Sequence, residues 1–156
     1  TSFTRGKEDI QTYGIKTFYT TDVCSAYRRT AYLECGGFPR PCNMSEDMYM
    51  AAKLVAAGYL VAYAADACVY HSHNLLPSQQ YSRNYAIGAF LENNKEILMG
   101  ASEVGEGAKL VKSVSAELVR TRQLGELFAF GLDCTARLLG NRAGRRDARK
   151  EMEKGQ

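Results

Sequence analysis

The sequence predicts an α/β fold of few strands plus helices, followed by further helices at the C-terminal end. Three observations lead there. A β-branched and aromatic run occupies 17–25, a nearly continuous apolar stretch occupies 59–70, and from Glu46 onward apolar residues recur at helical spacing in several segments. Residues 1–16 are polar, with Lys7, Glu8 and Asp9 together and Gly14 as punctuation, and read as a loop or weak helix. The run TFYTTDVCS at 17–25 reads as a strand, and Ala26 to Glu34 carries helix formers up to the break at Gly36-Gly37. Pro39, Pro41 and Asn43 make an irregular loop. Ser45 then stands as N-cap of a helix with Met48, Ala51, Ala52 and Val55 on one face and Gly58 as its stop.

The apolar stretch YLVAYAADACVY at 59–70 is interrupted by Asp66 and reads as two short buried strands around a turn, with His71-Ser72-His73-Asn74 leaving the second. Pro77 fits the first position of another helix, whose Tyr81, Tyr85, Gly88 and Ala89 recur toward Leu91. After a loop around Gly100 to Gly107, two more helices are expected at 108–120 and 122–139, the second with Leu124, Leu127, Phe128, Gly131, Thr135 and Leu138 on one stripe. Beyond Gly140 come Arg142, Arg145, Arg146, Arg149, Lys150 and Lys154 with few apolar residues, either a solvated helix end or a disordered tail. The expected division is therefore 1–106, a helical appendage at 107–140, and a basic tail at 141–156.

The 156 residues suit one domain or part of a larger one, and 46% hydrophobic with 24% charged residues disfavours collagen-like, disordered and disulfide-scaffold classes. A net charge of +3 is too small to mark a nucleic-acid binder. Cys24, Cys35, Cys42, Cys68 and Cys134 are odd in number and form no C-x-x-C pair, so they read as reduced, largely buried thiols. With no signal segment and no apolar run near the ~20 residues of a spanning helix, a cytoplasmic location is expected.

Few residues offer chemistry. Glu46 and Asp47 open a helix after a flexible loop; either they compensate the helix dipole, or Asp47 is a general base whose pKa is raised by apolar surroundings or by Glu46. His71 and His73 share a face if the strand continues, as a metal-ligand pair or simply as hydrogen-bonded residues at a strand end. Arg28 and Arg29 approach a phosphate or are solvated.

Four pieces in order, Asp22-Val23-Cys24-Ser25-Ala26-Tyr27-Arg28-Arg29, Gly36-Gly37-Phe38, Ser45-Glu46-Asp47-Met48 and Val69-Tyr70-His71-Ser72-His73-Asn74, resemble family 2 glycosyltransferases, and among them the bacterial rhamnosyltransferase branch. The resemblance implies the acceptor-side half of a GT-A fold with Asp47 as catalytic base beside Glu46. It implies an inverting transfer of a sugar such as rhamnose from a dTDP-sugar to a hydroxyl of a surface polysaccharide or lipid-linked acceptor. A divalent cation, Mg or Mn, would stabilise the leaving diphosphate, with His71 more than His73 at the metal or diphosphate site. Arg28 and Arg29 become diphosphate or loop-positioning groups, and Ser25 and Tyr27 line the donor pocket. The chain departs from the family in carrying Asp22 where Asn is usual, and it contains no Asp-x-Asp and no N-terminal strand-helix-strand series. The expected reading is part of a longer enzyme, inactive without its nucleotide-binding half, with a homodimer possible through the face that half would cover. The competing expectation is a non-catalytic module that docks a membrane or a protein through the helices after Gly107 and the basic tail.

Overall fold

The apolar face expected after Ser45 forms in α3 (Glu46–Ala56): Ala51, Ala52 and Val55 are buried on it, with Met50 in place of the expected Met48, which is only half-buried. In the computed structural model, which describes residues 1–41, 44–72, 74–101 and 106–154 and only the backbone of Glu106, the chain divides into two compact units. The first comprises 1–73 and 94–104, the second 74–93 and 105–156.

In the first unit β1 (Phe3–Arg5) pairs antiparallel with β2 (Val61–Tyr63), Phe3 opposite Tyr63, and those two rings stack 5.1 Å apart. The chain continues through α1 (Ile10–Tyr13) into a 3-10 helix, Gly14–Phe18, which contacts α3. Ile15, Thr17 and Phe18 are buried on that 3-10 helix, and Ala31 of α2 (Arg29–Glu34) and Leu98 complete the unit's buried apolar set. Arg5 spans the Phe3 and Tyr13 rings, 4.3 and 4.2 Å from their centres, and donates to the Lys16 carbonyl at 2.7 Å.

Both helix stops read from glycine are present. After α3, Gly58 adopts φ 89°, its N–H donates to the Val55 carbonyl, and the Tyr59 N–H reaches Leu54. Gly36 does the same after α2 with φ 80°. This left-handed close satisfies carbonyls the helix leaves unpaired and is open to glycine without a Cβ clash.

The second unit holds α4 (Pro77–Asn93), α5 (Glu106–Arg120) and α6 (Leu124–Lys154). Pro77 is the first residue of α4, and the Gln79 side chain reaches back to accept the Leu76 N–H at 2.9 Å. The α4 and α6 backbones touch. A Cβ on Gly140 would overlap the Tyr81 carbonyl, one on Gly144 the Tyr85 carbonyl, and one on Gly88 the Asn141 carbonyl. The pairs 81/140, 85/144 and 92/149 advance together along both helices, so α4 and α6 run parallel. Further along, buried Glu92 accepts from Arg149 at 2.6 and 3.2 Å, and Tyr85 donates to Asp147 at 3.3 Å.

Several expectations are corrected. Residues 17–25 form no strand: Thr17 and Phe18 end the Gly14–Phe18 3-10 helix, and Asp22–Cys24 form a second one, opened by the Thr21 hydroxyl accepting the Val23 N–H. Burial of Thr17 and Phe18 against the core outweighs their strand preference. Of the apolar stretch 59–70 only Val61–Tyr63 finds a strand partner, and it is largely exposed; three residues of β1 offer no more backbone to pair with. Of the two readings of the basic segment, the helix end is the one found: α6 continues through Lys154 across Gly140, which serves as a packing surface. Ser45 holds the N-cap position at φ 66° without a side-chain cap bond. The cysteines are free but not largely buried: Cys24 and Cys68 are exposed, Cys35 and Cys134 partly so, and Cys42 lies outside the described residues.

The glycines of α6 make a direct contrast. Gly144→Ala forces a methyl into the Tyr85 carbonyl and is expected to destabilise the second unit by about 1–3 kcal/mol. Gly131→Ala, with nothing within 4 Å, is expected to stabilise it by about 0.5–1 kcal/mol. Thermal melts followed by far-UV circular dichroism measure both.

Candidate active site

The first turn of α3 places Asp47 at the edge of the first unit's core, because the buried face of the helix begins one turn later at Met50. Asp47 is half-buried, and its Oδ1 accepts the Met48 N–H at 2.7 Å. Burial pushes its carboxyl pKa up, the charges of Asp22 and Glu46 push the same way, and the Met48 and Asp22 backbone N–H groups pull it down. The 3-10 turn at Asp22 therefore lies against the start of α3.

Asp22 brings other residues to that point. Its Oδ1 accepts from Ser25 Oγ at 3.3 Å and from the Tyr27 hydroxyl at 3.1 Å. Tyr27 is half-buried, and its phenol is pushed up to about 12, by burial first and then, against the Ser25 hydrogen bond, by Asp22. Tyr27 thus stays a hydrogen-bond donor at neutral pH. Its ring packs with Tyr32 and Phe38 at 5.9 and 5.6 Å, the latter two 5.2 Å apart edge to face, while the Phe38 N–H donates to Tyr32 Oη at 3.0 Å. The Gly36-Gly37 turn makes this possible. Gly37 sits at φ 66°, and a Cβ there would lie 3.0 Å from the Tyr32 ring.

The structure thus brings together Asp47, Glu46, Asp22, Ser25 and Tyr27. Arg28 caps the start of α2 and Arg29 is its first residue, both exposed beside Tyr27 in the chain and free of burial that would fix their side chains. His71 is exposed on a segment without helix or strand, and His73 lies outside the described residues. The expected His71–His73 pair lies partly outside the described residues; among those described, no three His, Cys, Asp or Glu side chains come together to hold an ion. A concavity of about 500 Å³ lined by Glu34, Cys35, Gly36, Lys53, Ala56, Ala57 and Ile97 lies at the opposite end of α3 and includes none of the site residues.

Two features escaped the sequence reading. The Tyr27, Tyr32 and Phe38 cluster was signalled only by aromatic residues flanking a helix and its Gly-Gly stop. That Asp22 faces Asp47 needed the fold. Chemically, the arrangement is a half-buried carboxylate disposed to take up a proton, beside a second carboxylate whose oxygen is held by two hydroxyls.

Two similar proteins have names that bear on this site. The chain is 42% identical over 110 residues to the O-antigen chain rhamnosyltransferase WbaN of Salmonella anatum, a match covering 70% of this chain and 35% of that protein. It is likewise 42% identical over 113 residues to the O-antigen chain rhamnosyltransferase RfbN of Salmonella typhimurium, covering 72% and 36%. The chain therefore spans about a third of the length of these relatives. No family profile and no solved structure matches it.

A carboxyl whose pKa is raised by folding binds its proton more tightly in the folded state, so ionising Asp47 lowers stability as the pH rises through that pKa. Asp47→Asn keeps the shape and removes the charge. It is expected to be more stable than the parent at pH 7, the gap closing as the pH falls to about 4, near the ordinary carboxylate range. Urea unfolding of both at the two pH values measures this.

Proposed function

We propose that the chain is the acceptor-side part of an inverting rhamnosyltransferase that works in O-antigen or related surface-polysaccharide synthesis. The similarity to two proteins named O-antigen chain rhamnosyltransferases carries the reaction class. The environment of Asp47 supports its assignment as the base. In this reading the complete enzyme has a GT-A catalytic domain of family 2, and the nucleotide-binding half comes from beyond the present sequence.

The proposed step moves rhamnose from a dTDP-sugar to a hydroxyl of a glycan or lipid-linked acceptor. Asp47 takes the hydroxyl proton as the oxygen forms its bond to the anomeric carbon. The bond from that carbon to the diphosphate oxygen breaks on the opposite face, and the nucleoside diphosphate leaves with the electron pair. A pKa above the ordinary carboxylate value makes Asp47 a stronger proton acceptor than a solvated aspartate. Burial first, and then the charges of Asp22 and Glu46, keep it raised, and Tyr27 and Ser25, fixed on Asp22, line the sugar side. Arg28 and Arg29, exposed beside them, are the cations available to a diphosphate. A divalent cation, held near His71 and His73, would supply positive charge to the departing diphosphate; among the described residues no three His, Cys, Asp or Glu side chains converge to hold it. The enzyme is placed on the cytoplasmic side.

In the full-length enzyme Asp47→Asn is expected to lower transfer by about 10²- to 10⁴-fold, the usual worth of a general base, while donor affinity stays within a few-fold. Radiolabelled transfer and donor titration measure the two quantities. Unchanged turnover removes Asp47 from the mechanism, and turnover by the present chain alone refutes its dependence on a second half.

A further inference from the structure

The seam along α6 at 124, 128, 132, 135, 139, 142, 146 and 150 follows helical spacing and is exposed throughout. Its first part is apolar apart from Thr135: Leu124 is 67% exposed, Phe128 70%, Leu132 46% and Leu139 52%. That stripe extends over about 22 Å at the α-helical rise. Past Gly140 the same seam becomes Arg142, Arg146, whose guanidinium also pairs with Asp147 at 2.9 Å, and Lys150, with the single acid Glu153 one turn beyond. The charges of the apolar half, Glu126, Asp133 and Arg137, lie on the opposite side of the helix, with Arg137 paired to Asp133. The buried glycine seam of Gly140 and Gly144 is a different face, already covered by α4.

The preceding helix repeats the pattern. Leu110, Val111, Val114 and Leu118 share one face of α5, and Lys109, Lys112 and Arg120 the other. Leu110 is 61% exposed, and no residue of α5 described at the side-chain level is buried. Apolar seams of this size left open to water carry a free-energy cost that a covering surface removes. The positive charge of the chain also resides in this unit, since acids outnumber bases in the first.

We infer that the α5–α6 hairpin docks this unit on an anionic lipid surface, with Leu124, Phe128, Leu132 and Leu139 entering the interface and Arg142, Arg146 and Lys150 on lipid phosphates. The ordering of apolar then basic residues along one exposed seam selects this occupant. A second copy aligned in parallel would set Arg142, Arg146 and Lys150 against themselves, and a fully overlapped antiparallel copy would set cations against leucines. Neither hairpin helix spans a bilayer: among the described residues no helix is long and apolar enough to cross one. The hairpin is therefore interfacial, held by buried apolar area and by attraction to negative headgroups. The inference does not rest on the transferase reading and stands or falls independently of Asp47.

Co-sedimentation of the full chain with vesicles tests it, using phosphatidylglycerol mixed into phosphatidylcholine against phosphatidylcholine alone. The parent should bind the anionic vesicles at least tenfold more tightly than the neutral ones and lose binding as salt is raised. Phe128→Glu should weaken anionic binding at least tenfold, as should the double substitution Arg142→Glu and Lys150→Glu, with unchanged far-UV circular dichroism in both. Absence of binding to anionic vesicles overturns the inference. So does equal binding to both vesicle types, or a dimer in sedimentation that Phe128→Glu dissolves while vesicles capture nothing.

Discussion

Burial of one face of α3 is the constraint on which the candidate site depends. Met50, Ala51, Ala52 and Val55 tie the last two turns of the helix to the core, and the left-handed close at Gly58 ends it there. The first turn is consequently held at the core's edge, where Asp47 is neither solvated enough to behave as a surface aspartate nor buried enough to be sealed from the surface. A half-buried position sets both the upward push on its pKa and its access. The Asp22 turn then brings a second negative charge toward it, with Ser25 and Tyr27 bound to that charge.

A different constraint governs the second unit. Its helices α4 and α6 approach until backbone meets backbone, which only glycines at 88, 140 and 144 permit. Dispersion contacts between such closely apposed backbones, joined by the Glu92–Arg149 pair, hold the two helices with little large apolar side chain between them. That economy leaves leucines, valines and a phenylalanine of α5 and α6 on the outside. The same residues that a larger helical core would have enclosed are thus available to a lipid interface.

What was legible in the sequence follows from whether the signal was local. Gly36, Gly58 and Pro77 mark helix ends by backbone chemistry that needs no partner, and each is where the structure places it. The α3 face was legible because 3.6-residue spacing sorts Ala51, Ala52 and Val55 to one side. The strand expected in 59–70 forms at Val61–Tyr63, but those at 17–25 and 64–70 fail because a strand exists only with a neighbour, and neither has one among the described residues. The segment beyond Gly140 stayed open between helix end and disordered tail because the packing role of that glycine shows only once the facing backbone is known. At the site, Asp47 was legible from its motif and helix-start position, whereas its partnership with Asp22, 25 positions earlier, and the Tyr27, Tyr32 and Phe38 packing are tertiary.

The central claim is that folding raises the proton affinity of Asp47 through burial and the nearby Asp22 charge. Carbon-detected NMR titration of the Asp47 carboxyl, in the parent chain and in Asp22→Asn, tests it most directly. The account predicts a pKa above the ordinary aspartate value in the parent and a lower one in Asp22→Asn. An Asp47 pKa at or below the ordinary value, or one indifferent to Asp22→Asn, would contradict it.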